Sequence, residues 1–184
     1  MTRHIINFII IFFIYASAQA IEKSASDMAQ DFYNLLKHEN YSAAATYYDQ
    51  AALREFRQLM NFENELTAEQ KQYYFQEFFE PDLTDTSIDN LSDVDFMAAF
   101  LRGVISSERF SQMIDYKNLE IIGEVKEQED LAHVVARQWI SLAGNKMEII
   151  EATSFHKIDG DWKVRMTGKL KGVAVMIRQQ FNLQ

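Results

Sequence analysis

Two hydrophobic periods divide this chain. Apolar residues recur at helical spacing as far as about residue 104, then alternate with polar ones from about Lys117 onward. The first helix is expected over Ser26 to Glu39, with Met28, Phe32, Leu35 and Leu36 on one stripe. A second opens near Ser42, carries Tyr47, Tyr48, Ala51 and Ala52, and runs on, with or without a break, through Phe56, Leu59 and Met60. Thr67-Ala68-Glu69-Gln70 and Ser92-Asp93-Val94-Asp95 have the spacing of capping boxes. The third helix then carries Tyr73, Tyr74, Phe78 and Phe79 and ends before Pro81, and the fourth carries Phe96, Phe100, Leu101 and Val104.

Four strands follow, roughly 117–127, 130–142, 146–158 and 161–167, with tight turns at Gly144-Asn145 and Asp159-Gly160. Asp-Gly is the pair that tolerates positive φ at the centre of a hairpin. Within Gly168 to Phe181 a short terminal helix with Val173, Met176 and Ile177 is expected. Helices first and hairpins after them are the order of an α+β domain, with N-terminal helices packed on one face of a curved, four-stranded antiparallel sheet.

The turns set a register, and the register decides which side chains share a face. Two-residue turns pair Ala143 with Lys146, Ile140 with Ile149, Gln138 with Glu151, Phe155 with Val164 and Ile158 with Asp161. A longer loop at 127–130 puts Val125 opposite Ala132 and Ile121 opposite Ala136. One face is then almost wholly apolar, from Leu119, Ile121 and Val125 through Met147 and Ile149 to Trp162 and Val164. Gln138, Glu151 and Thr153 are its polar members and cluster together. An ionised carboxylate on such a face needs a partner, so Glu151 is the candidate general base of this chain. Tyr33, Tyr47 and Tyr48 reach toward it from the helices and complete a candidate pocket. The opposite face pairs Glu120 with Arg137 and Glu124 with His133, and sets Val135, Trp139, Ile150 and Ile122 among charges, a candidate interface.

The start of the chain reads as an export signal. Arg3 and His4 precede an apolar run from Ile5 to Ile14, and Ala18-Gln19-Ala20 offers a small-x-small cleavage site. A run of about ten residues is short of the ~20 needed to span a bilayer, so residues 1–20 are expected to be cleaved, with 21–184 forming a single periplasmic or secreted domain and no lasting membrane span. Loss of Arg3 moves the formal charge from −9 to −10. An acidic domain with no Lys/Arg cluster is a poor partner for nucleic acid. The absence of cysteine excludes disulfides and thiolate chemistry, and an exported domain must then rest on its own core, for which 14 Phe and 8 Tyr suffice. His133 and His156 are expected to be surface histidines, and the run Asp82, Asp85, Asp89, Asp93, Asp95 lacks calcium-loop spacing. No metal and no cofactor is expected.

Phe32-Tyr33-Asn34-Leu35-Leu36 followed by Asn40-Tyr41-Ser42-Ala43-Ala44-Ala45, with Asp159-Gly160-Asp161-Trp162-Lys163-Val164 closing a hairpin, resembles the nuclear transport factor 2-like superfamily, a cystatin-like cone. The resemblance implies a cone-shaped fold shared by ketosteroid isomerase-like and dehydratase-like enzymes, polyketide cyclases and non-catalytic binding or dimerising domains. It transfers no catalytic position to this chain. Three functions follow as expectations. The first is a non-catalytic domain that binds a small apolar ligand or a protein partner and forms a homodimer through Trp139 and Ile150. The second is a small lyase- or isomerase-like enzyme with Glu151 as base, and the third is an accessory docking subunit of an envelope complex.

Overall fold

In the computed structural model, which describes residues 23–79, 88–107, 114–142 and 145–183, the helical half begins where a side chain can cap it. Helix α1 (Ala25–Lys37) starts at Ser24, whose hydroxyl accepts from Asp27 N while the Asp27 carboxylate accepts from Ser24 N. Helix α2 (Tyr41–Ala45) is capped by Asn40, and α3 (Gln50–Met60) by Asp49. The expected second helix is therefore two. Its break has a specific cause: Val164 N donates to Tyr47 O at 2.7 Å and Asp49 N donates to Val164 O at 3.0 Å, so the chain bridges to Val164 at Tyr48 instead of continuing the helix. The capping box at Thr67 opens α4 (Ala68–Phe78), and Ser92 caps α5 (Asp93–Ser106). Residues 1–22, which hold the expected export signal, residues 80–87, and Gly144 of the expected Gly144-Asn145 turn lie outside the described residues.

Strands β1 (Ile114–Lys126), β2 (Leu131–Leu142), β3 (Asn145–Ile158) and β4 (Asp161–Val164) form one antiparallel sheet in that order, and α6 (Gly168–Gln180) follows. The molecule is thus α+β, with a curved four-stranded sheet. Ala132, Val134, Ala136, Phe155, Trp162 and Val164 are buried on the helix side of the sheet. Above them the helices hold an aromatic cluster in which Phe56 lies 4.7 Å from Phe100 and Phe62 lies 4.8 Å from Tyr74, ring to ring. Tyr74 is almost fully buried, and its hydroxyl donates to Met60 O at 2.8 Å. Gly103 lets α5 pass directly over the end of α4. A Cβ there would stand 2.6 Å from Phe78 O and from Phe79 N and Cα.

The hairpin at Asp159-Gly160 forms as expected, with φ of +52° and +90°, and Phe155 pairs with Val164. The β2–β3 register differs from the expected one. Leu142 pairs with Asn145, Ile140 with Met147, Gln138 with Ile149 and Ala136 with Glu151, while Lys146 pairs with Ser141 rather than Ala143. The pairing is displaced by two residues along the whole of β2 and β3. A two-residue displacement preserves the side-chain alternation, so the faces survive where a one-residue slip would have inverted them.

Strand β1 behaves otherwise. Ile121 pairs with Ala136 as expected, but Gly123 pairs with Val135, leaving Ile122 as an extra residue. This bulge inverts the strand beyond it. Val125 pairs with His133, not Ala132, and is 57% exposed. Glu124 turns to the helix side, where it accepts from Ser26 N at 2.8 Å and places a carboxylate at the start of α1. Met147, another member of the expected apolar face, is exposed at the start of β3, and Met176 of α6 is exposed as well.

Candidate functional site

A cavity of about 180 Å³ lies between the helices and the sheet. Its walls are apolar: Phe32 and Leu36 from α1, Phe100, Leu101 and Val104 from α5, Leu170 and Val173 from α6. The period-3.6 stripes on α1 and α5 turn these residues inward, and α6, which packs against α3, brings Leu170 and Val173 to the end where Lys169 reaches Glu151. Polar groups gather at that end. Gln138, Glu151, Thr153, Tyr33 and Tyr48, five of the six residues expected to form a pocket, line the space together. Tyr47 does not line it. Tyr47 sits in the turn after α2, and Tyr48, which bridges to Val164, is the tyrosine of the pair that reaches the cavity.

Two small networks organise the polar end. The Tyr33 hydroxyl and Thr153 Oγ1 share a hydrogen bond of 3.0 Å. Burial raises the pKa of the Tyr33 phenol above its ordinary value, with the Thr153 bond acting against this and the Glu151 charge adding to it. Tyr33 is therefore a neutral hydroxyl at any physiological pH. Glu151 Oε2 accepts from Gln138 Nε2 and, at 2.6 Å, from Lys169 Nζ. An ammonium and an amide are both donors, the company a carboxylate requires. Glu151 and Gln138 are thus diagonal neighbours rather than a directly opposed pair, yet the amide still reaches the acid.

Lys169 was absent from the expected set. It stands in the first turn of α6, one residue before Leu170, so the residue that reaches Glu151 is carried by the helix that walls the cavity. The signal was present in sequence as a basic residue at the start of an apolar-periodic segment, but only the fold directs it to β3. Outside the cavity mouth is an open groove bordered by Ile150, Ala152, Arg165 and Lys169, where the first half of β3 runs past the end of β4.

On the outer face, Arg137 pairs with Glu120 at 3.0 Å and with Glu148 at 3.1 Å. His133 is bonded to Ser154 at 2.9 Å and to Glu127 at 2.7 Å, and the expected Glu124 partner is on the other side of the sheet. His156 faces Asp130 at 3.3 Å. Among the described residues no group of three or more His, Cys, Asp or Glu could hold a metal ion. Of the expected interface residues, Ile150 and Ile122 are 62% and 46% exposed, while Trp139 and Val135 are half-buried. In the acidic run, Asp93 pairs with Arg57 and Asp95 with Ser92, while Asp82 and Asp85 lie outside the described residues. No helix among the described residues is long and apolar enough to cross a membrane. Comparison with protein-family models, with curated proteins and with solved structures finds no match for this chain, which leaves the chemistry of the cavity as the ground for a functional reading.

Proposed function

We propose that this chain is an exported, non-catalytic domain of the nuclear transport factor 2-like kind that binds a small apolar molecule in the cavity beneath α6. The observation that carries the reading is the lining of that space: apolar side chains from α1, α5 and α6 beside a small set of polar groups that includes Tyr33, Gln138, Glu151 and Thr153. Small-molecule sites have this character, with few polar groups fixing the orientation of a mainly apolar ligand. The volume is at the small end of the range. An apolar cavity of about 150 Å³ accepts benzene, so about 180 Å³ suits a single ring with a short substituent.

Native mass spectrometry of the protein isolated from its own host tests this reading. The expected spectrum has the mass of the chain from Ile21 onward with a small non-covalent adduct, and Val173→Trp, which fills the cavity, removes the adduct. A bare chain, together with no change in Tm on adding toluene, overturns it.

A second reading has one observation in its favour. Glu151 Oε1 has no hydrogen-bond partner among the described residues, so the acid retains a basic atom for a proton on a bound ligand. If the domain is an enzyme, Glu151→Gln abolishes turnover and leaves ligand affinity in place.

A further inference from the structure

We propose, resting on the reading of the cavity as a binding site, that its ligand is an uncharged apolar molecule bearing a hydroxyl group, an alcohol or a phenol, whose hydroxyl donates to Gln138 Oε1.

Gln138 is 3% exposed and lines the cavity. Its Nε2 is committed to the Glu151 carboxylate, and this fixes the amide's orientation, since the reverse would set oxygen against oxygen. Oε1 then remains, and it has no partner among the described residues. No described side-chain nitrogen or oxygen that is sealed from solvent lacks a hydrogen bond. The amide oxygen of this almost fully buried residue therefore borders open space, and the cavity is the space that Gln138 lines. An acceptor in that position calls for a donor.

The neighbouring atoms narrow the class. Glu151 Oε1 is a second acceptor without a partner, so a carboxylate ligand would bring negative charge toward two acceptors. A ketone or ether has no proton to offer either of them. An ammonium group would find its natural counter-ion already paired with Lys169 at 2.6 Å. A hydroxyl meets every requirement, because it also accepts. The bond between Tyr33 and Thr153 uses one of their two hydroxyl protons and leaves the other to donate.

Titration with four ring compounds of similar size, phenol, toluene, anisole and benzoate, followed by calorimetry or amide chemical shifts, tests the assignment. Phenol is expected to bind about tenfold more tightly than toluene or anisole, because a site built for a hydroxyl leaves buried acceptors unpaired when the hydroxyl is missing. Benzoate is expected to bind most weakly. Gln138→Leu should bring phenol down to the level of toluene while toluene still binds, which also shows that the variant is folded. Equal affinity of the wild-type protein for phenol and toluene refutes the hydroxyl assignment and leaves the cavity as a site, and this comparison needs no variant. Retention of the phenol preference in Gln138→Leu refutes it as well. Binding of none of the four compounds refutes the binding-site reading and this inference together.

Discussion

Gly103→Ala and Gly172→Ala are the same chemical change on two helices, and the structure assigns them opposite signs. In a helix interior the glycine-to-alanine change is stabilising by up to about 1 kcal/mol, because alanine has less backbone entropy to lose. At Gly172, in the middle of α6, a Cβ meets nothing within 4 Å, so that gain should appear undiminished. At Gly103 the added carbon lies 2.6 Å from three backbone atoms of Phe78 and Phe79. No rotamer change relieves a contact with backbone, so α5 and α4 must separate by most of an ångström. That displacement reaches the ring stack in which Phe79 lies 5.1 Å from Phe96 and 5.9 Å from Phe100. Overpacking of this kind costs typically about 1–3 kcal/mol, which outweighs the helix-propensity gain and leaves a net loss of up to about 2 kcal/mol. Urea unfolding followed by far-UV circular dichroism reads both variants, with unchanged slopes and shifted midpoints. A Gly103→Ala protein as stable as Gly172→Ala would refute the close approach of α5 to α4.

Three further outcomes are expected. Burial holds the Tyr74 phenol well above its ordinary value of 10.0, so its contribution to stability is complete below about pH 10 and is lost as pH rises toward the folded-state value. Phenolate absorbance during alkaline titration should therefore show this tyrosine ionising only as the circular dichroism signal collapses, and a Tyr74→Phe protein should lack that late step. Asp49→Ala removes a buried N-cap that bonds Ala52 N and should lower stability by about 1–2 kcal/mol in the same urea assay. For assembly through the outer face, sedimentation of wild type against Trp139→Glu decides. A dimer that falls to a monomer supports the interface, and a monomeric mass in both rules it out.

The elements were legible wherever a single local signal determined them. Ser or Thr placed three residues before an acid or glutamine located the starts of the third and fourth helices, and Asp159-Gly160 located the last hairpin. The faces of β2 and β3 were legible for a subtler reason: alternation has period two, so an error of two in register left Gln138, Glu151 and Thr153 on the cavity side. The bulge at Ile122 has a faint mark, since Ile121 and Ile122 interrupt the alternation and Gly123 follows them, but strict alternation carried through that point puts Val125 and Glu124 on the wrong faces. Arg57 was illegible for another reason. Its guanidinium donates to the main-chain carbonyls of Ile88, Asp89 and Leu91, more than 30 residues away, and a carbonyl has no sequence signature. Lys169 belongs to the same class, a local helix residue whose partner is chosen by tertiary packing.

The most direct measurement is crystallographic: diffraction from the protein pressurised with xenon, a probe that enters apolar cavities and requires no guess about the ligand. A site built as described here shows an anomalous peak enclosed by Phe32, Phe100 and Val173, with Gln138 and Glu151 at one end. A map without that peak, in which these side chains meet across a filled interior, contradicts the account.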